Sequence, residues 1–153
     1  MTGPPPIVRL EGAARTYRSE SVPVEALRPT TLEVAPGDYV AVTGPSGSGK
    51  STLLHLLGCL DRPTAGRYLF AGRDTSTLTD RELAHVRNAR IGFVFQRFHL
   101  LPDETAIRNV GLPLLYAGVG RAERLRRAGE ALERVGLGPR AHHRQGRLSG
   151  GEQ

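Results

Sequence analysis

Lysine is almost missing from this sequence. Of its 21 basic residues, Lys50 is the single lysine and the rest are arginine. Cysteine occurs once, as Cys59, so no disulfide framework can form within the chain. In its leucine-rich stretch Cys59 reads as a buried hydrophobe on a helix. No run approaches the ~20 apolar residues of a membrane span. The opening Met1-Thr2-Gly3-Pro4-Pro5-Pro6 lacks the apolar core of a signal peptide and reads as a disordered tail over residues 1–6. These absences point to a cytosolic or peripheral protein. Metal-ligand clusters are also lacking: His142 and His143 are adjacent rather than helically spaced, as in a solvated loop. Aromatics make up 5% of residues and are not interleaved with the arginines, so the stacking platforms of a polynucleotide binder are missing.

The one lysine stands in Gly44-Pro45-Ser46-Gly47-Ser48-Gly49-Lys50-Ser51, the G-x-x-x-x-G-K-[ST] pattern of a phosphate-binding loop. Glycines there let successive backbone N–H groups turn inward around an anion. A compact ammonium settles between phosphate oxygens where a planar guanidinium does not fit. Tyr39-Val40-Ala41-Val42 predicts a buried strand leading into the glycines, and the leucines of Thr52–Leu57 predict a helix leaving them. That order aims a helix N-terminus at a phosphate.

The net charge of +6 is unevenly placed. Arg121–Arg147 holds eight Arg against three Glu. Within it Glu123/Arg127 and Glu130/Arg134 have i,i+4 spacing, opposite a stripe of Leu125, Ala128, Leu132 and Val135. A solvated amphipathic helix is the expectation, and a docking face for an acidic partner is the alternative. Elsewhere, Ile7–Leu10, Thr31–Val34 and Arg67–Phe70 predict strands, with a turn at Pro36-Gly37-Asp38. Thr79 and Glu82 have capping-box spacing and open a helix to about Asn88, and Ile91–Phe95 predicts a second buried strand ending at Gln96. A mostly helical section follows, over about 97–147.

Near the end, Leu148-Ser149-Gly150-Gly151-Glu152 has the spacing of a helix first turn, with glycines that leave its N–H groups accessible to an anion. Taken with the phosphate-binding loop and Gln96, this ordered set resembles the ATP-binding subunits of ABC (ATP-binding cassette) transporters. Ile91–Gln96, Leu100-Leu101-Pro102, Asn109-Val110 and Leu112–Gly118 are similar to the lipoprotein-release and macrolide-export branch. The resemblance implies an α/β P-loop NTPase with a RecA-like core, an N-terminal antiparallel β subdomain and a helical subdomain, in one domain over 1–153.

Residue roles follow from the resemblance. It implies that Tyr17 stacks on adenine, and that Gly44 to Thr52 cradle the phosphates of ATP, with the Ser51 hydroxyl on Mg²⁺. It implies that Gln96 reaches Mg²⁺ or the attacking water. Ser149, Gly150 and Gly151 would contact the γ-phosphate of ATP on an opposing subunit in a head-to-tail dimer. The implied partner is a membrane permease, at the cytoplasmic face of the membrane, and not nucleic acid.

Two departures stand out: Glu104 takes a place that is usually apolar, and Arg108 one that is usually acidic. In the family, a Walker B strand ending in Asp-Glu, a D-loop and a switch histidine follow the signature turn. None precedes Gln153, so the general base and part of the core sheet are expected to be missing. The 153 residues alone are therefore expected to be inactive, poorly folded and frayed at the signature turn. Two other readings stay open: a non-transport relative, and an ATP-binding regulatory module that does not hydrolyse.

Overall fold

The computed structural model describes residues 4–18 and 22–153. Residues 1–3 of the expected tail lie outside these, and Pro4–Pro6 carry no secondary structure. The chain divides into two compact units, Met1–Arg87 and Asn88–Gln153.

In the first unit, β1 (Val8–Tyr17), β2 (Val24–Val34), β3 (Ala65–Phe70) and β4 (Arg73–Asp74) form an antiparallel sheet in the order β2-β1-β3-β4. The alternation of β1 explains why this sheet forms. Leu10 faces Tyr68 across the β1–β3 pair, and both are fully buried. The flanking Arg9 and Glu11 point the other way into cross-strand ion pairs, Arg9 with Glu33 at 3.1 Å and Glu11 with Arg67 at 2.5 Å. One face is dry and one wet, which pins the register, because a one-residue slip would bury the charges.

Helix α1 (Lys50–Leu57) buries Leu53 and Leu56. The Tyr68 hydroxyl donates to the Leu57 carbonyl at 2.8 Å, so the buried ring keeps a partner. Full burial of Leu10 and Leu56 contributes roughly 1.5–3 kcal/mol each. Cys59 is buried as expected, but it lies two residues beyond α1 rather than on it, at φ 54°. Burial raises its thiol pKa, in keeping with an inert core residue.

The capping box expected at Thr79 is formed at the head of α2 (Asp80–Arg90). The Thr79 backbone N–H donates to Glu82 Oε2 at 2.8 Å, and the Glu82 N–H donates to Thr79 Oγ1 at 3.3 Å. The Thr79 N–H holds the Glu82 carboxyl below its ordinary range.

The two expected buried strands are not formed among the described residues. Tyr39–Val42 and Ile91–Phe95 have no ladder partner, and Tyr39 is 97% and Val94 103% exposed. The physical reason is that β-prone composition makes a segment only competent to pair. β1, β2, β3 and β4 each lie beside a strand, whereas neither Tyr39–Val42 nor Ile91–Phe95 has a strand beside it among the described residues.

The second unit is built on α3 (Ala106–Tyr116) and α4 (Arg121–Arg134). Its core joins Ala106, Leu132, Ala141 and Leu148, with Ile107 and Leu137 packed against them. Of the expected apolar stripe on α4, Ala128 and Leu132 are buried, but Val135 lies past the helix end and is 68% exposed. The polar face carries Glu123 paired with Arg127 at 2.6 Å, as the spacing predicts. Glu130, however, pairs back to Arg126 at 2.6 Å rather than forward to Arg134, because Arg126 bridges Glu123 and Glu130 together.

Candidate functional site

The phosphate-binding loop leaves Val42, turns at Ser46-Gly47 and enters α1. Gly44, Gly47 and Gly49 take φ of 151°, 79° and 88°, a region that L side chains rarely adopt. Gly49 meets a second constraint, since a Cβ there would lie 2.7 Å from the Ala26 carbonyl oxygen on β2. It is also the N-cap of α1 and supplies no side-chain cap. The helix ladder begins with the Leu53 N–H donating to the Gly49 carbonyl at 2.8 Å. The N–H groups of Lys50, Ser51 and Thr52 therefore have no partner one turn back.

Lys50 closes the loop: its Nζ donates to the carbonyls of Gly44 at 2.9 Å and Pro45 at 2.6 Å. An ammonium and a row of helix-terminal N–H groups thus face the same glycine turn, which is the electrostatics of an anion site. The exposed Ser51 hydroxyl adds a hard oxygen donor of the kind Mg²⁺ prefers. Among the described residues no group of three or more His, Cys, Asp or Glu side chains could hold a metal unaided.

Tyr17 ends β1 and is 39% exposed. Its hydroxyl donates to Asp61 Oδ2 at 2.8 Å. The Arg15 guanidinium carbon lies 4.6 Å from the ring centroid, and Arg15 Nε sits 2.8 Å from the same Asp61 oxygen, off hydrogen-bond alignment. Asp61 Oδ1 accepts from the Arg62 N–H at 2.8 Å. Sequence reasoning passed over Arg15 and Asp61. The strand period was the signal for Arg15, since residues two apart share a face; nothing local marked Asp61.

In the second unit, Gln96 lies exposed at a bend after Ile91–Phe95. Phe93 and Phe95 stack there with centroids 5.4 Å apart, and His99 meets Phe95 edge-on at 4.9 Å. Asn109 fastens the segment that follows. Its Oδ1 accepts from the Leu101 N–H at 2.8 Å, and its Nδ2 donates to the Leu101 and Thr105 carbonyls, both at 3.2 Å. Glu104 and Arg108, the two departures, form an ion pair at 3.0 Å on this segment.

The Ser149–Glu152 turn is held rather than frayed, contrary to expectation. The Ser149 N–H donates to Glu152 Oε2 at 2.8 Å, and Arg140 Nε donates to Glu152 Oε1 at 3.0 Å. The Gln153 amide donates to the carbonyls of Gln145 at 3.1 Å and Leu148 at 3.0 Å. The Ser149 N–H, with Arg140, keeps the Glu152 carboxyl below its ordinary range. Gly150 and Gly151 are exposed, with nothing within 4 Å of a Cβ. Of the residues singled out from sequence, Tyr17 and Gly44–Thr52 share the first unit, and Gln96 with Ser149–Gly151 the second.

Residues 27–153 match the family described as ABC transporter. The chain belongs to that family. It is 57% identical over 147 residues to an ABC transporter ATP-binding protein of Thermotoga maritima, covering 96% of this chain and 63% of the relative. It is 50% identical over 148 residues to the macrolide export ATP-binding/permease protein MacB 2 of Aeromonas hydrophila, covering 97% of this chain and 23% of the relative. Among solved structures, the post-hydrolysis dimer of the ATP-binding cassette MJ0796 bound to ADP and Pi is similar at TM-score 0.83 and 42% identity. That match covers 95% of this chain and 64% of the other. The chain thus spans less than two thirds of the length of the relatives named here. The cassette likeness shows the α/β P-loop fold class. The sheet formed among the described residues is the antiparallel one.

Proposed function

We propose that this ABC family chain is the ATP-binding part of a transporter, holding ATP and Mg²⁺ on Gly44–Thr52 and coupling their binding to a membrane permease. The observation that carries the reading is the loop itself: positive-φ glycines, an N-cap without a side chain, and one ammonium folded onto the loop carbonyls. Ser51 would ligate Mg²⁺, whose charge offsets that of the phosphates when bound. Tyr17 takes the adenine. Ser149, Gly150 and Gly151 meet the nucleotide of a second copy in a head-to-tail dimer. The likeness to a macrolide export ATP-binding/permease protein supports export as the process served, with the chain peripheral at the cytoplasmic face. No helix among the described residues is long and apolar enough to cross a membrane. The α4 arginines engaged by Glu123 and Glu130 support a solvated face rather than a nucleic-acid surface.

Titration of the purified chain with fluorescent ATP tests the site. Lys50→Ala should abolish binding, and Lys50→Arg should weaken it at least about tenfold, since a guanidinium does not replace a point charge in a closed loop. Unchanged binding in Lys50→Ala would remove the assignment. Binding without turnover is the activity proposed for these 153 residues. Mg²⁺-dependent phosphate release that disappears in Lys50→Ala would overturn that part.

A further inference from the structure

Arg15 on β1 and Asp61 beyond α1 are drawn together on Tyr17. Gly49, at the end of the loop, lies against Ala26 and Leu27 of β2. Leu27 pairs with Arg15, and two residues back from Ala26, Val24 pairs with Tyr17. The offset along β2 is about 7 Å, with one strand spacing of about 4.8 Å sideways. Asp61 arrives from the other direction, four residues past the end of α1, with its N–H donating to the His55 carbonyl of that helix at 3.3 Å. The helix that begins at the phosphate loop therefore ends by delivering a carboxylate to the Tyr17 hydroxyl.

Asp61 is well supplied with partners. One oxygen accepts from Tyr17 and lies against Arg15, and the other accepts from the Arg62 N–H. Its side chain and that of Arg15 are only 20% and 22% exposed, so both are held in place. The guanidinium lies over one ring face at 4.6 Å, which covers that face and draws on the ring's π-density.

We infer that Asp61 and Arg15 are positioning residues that hold the Tyr17 ring as a preset nucleobase platform at a fixed distance from the phosphate loop. This rests on the reading of Gly44–Thr52 and Tyr17 as a nucleotide site. Asp61 fixes the ring through its hydroxyl, so the base stacks without first ordering it. Arg15 leaves one face for the base and makes the ring a better partner for an electron-rich purine. The two act on the base and not on the phosphates.

The test is calorimetric titration of the full 153-residue chain with MgATP and, separately, with Mg²⁺ and inorganic tripolyphosphate, which has no base. The variants are Tyr17→Phe, Asp61→Ala, their double, Arg15→Ala and Tyr17→Ala. Tyr17→Phe and Asp61→Ala should each weaken ATP about fivefold, and the double no more than Asp61→Ala alone, because both remove the hydroxyl–carboxylate contact. Arg15→Ala should weaken ATP about threefold. Tripolyphosphate affinity should stay within about twofold throughout, a readout that general damage to the fold would not spare. Equal loss for both ligands in Asp61→Ala, or additive losses in the double, would overturn the inference. If Tyr17→Ala weakens ATP and Asp61→Ala does not, the anchoring fails while the platform stands. If Tyr17→Ala leaves ATP unchanged, the platform itself is wrong and the inference falls with it.

Discussion

Two glycine turns in this chain present backbone N–H groups, and they reach their shapes by opposite means. The Gly44–Lys50 loop depends on dihedrals: three glycines at positive φ, one of them pressed against a carbonyl of β2, followed by an eight-residue helix. The Ser149–Glu152 turn has no positive-φ glycine, and side chains hold it: Glu152 reaches back to Ser149, Arg140 braces Glu152, and Gln153 ties the turn to Gln145 and Leu148. In the first turn glycine is required by the backbone. In the second it only keeps a space clear. A shared motif vocabulary of glycine and serine therefore conceals two different sensitivities to mutation.

The sharpest way to break that contrast is Gly49→Ala. Positive φ together with the Ala26 carbonyl should cost about 2–3 kcal/mol in urea unfolding and remove ATP binding. A variant that unfolds at the wild-type midpoint would place the loop in the permissive class. Gln153→Ala comes next: losing two donors to carbonyls should cost about 1–2 kcal/mol locally and speed amide exchange of Ser149 and Glu152. Unchanged exchange would show that Arg140 and Glu152 hold the turn alone. Gly150→Ala should stay within about 0.5 kcal/mol of wild type, because open space surrounds it. A large loss there would erase the distinction.

The smallest effect concerns pH. Arg126 and Arg127 lower the Glu123 carboxyl to about 2. A depressed carboxylate gives its stabilisation above the unfolded value, near 4.5, and loses it as pH falls toward 2. The NMR titration of Glu123 should therefore have its midpoint near 2, with α4 helicity unchanged from pH 7 to 5 and declining below about 4. A midpoint in the ordinary Glu range would mean that the Arg126–Arg127 clamp is open in solution.

Local features of the chain were legible from its residues. The phosphate loop, the Thr79–Glu82 box, the wet-and-dry alternation around Leu10 and the amphipathic α4 all depend on neighbours a few positions away. The misreadings share a different cause. Tyr39–Val42 and Ile91–Phe95 have strand composition, but a ladder belongs to two segments, and composition does not reveal whether the second is at hand. Spacing alone pairs Glu130 with Arg134 because it ignores competition, and Arg126 already has Glu123 to bridge from. Asp61 was invisible because its importance comes from where α1 ends in space. The clasp of Gln153 on Gln145 joins residues eight apart through a turn whose path no periodicity specifies.

Helix α1 can also be regarded as a gauge. Its eight residues span about 12 Å, and each residue turns the axis by about 100°. A single deletion between Thr52 and Leu57 would bring Asp61 about 1.5 Å nearer the loop and swing it onto another side of the helix. The two ends of the gauge would then be out of phase, though every residue that touches a ligand would still be in the chain. Length and phase of this short helix are thus as much a part of the site as the lysine at its head.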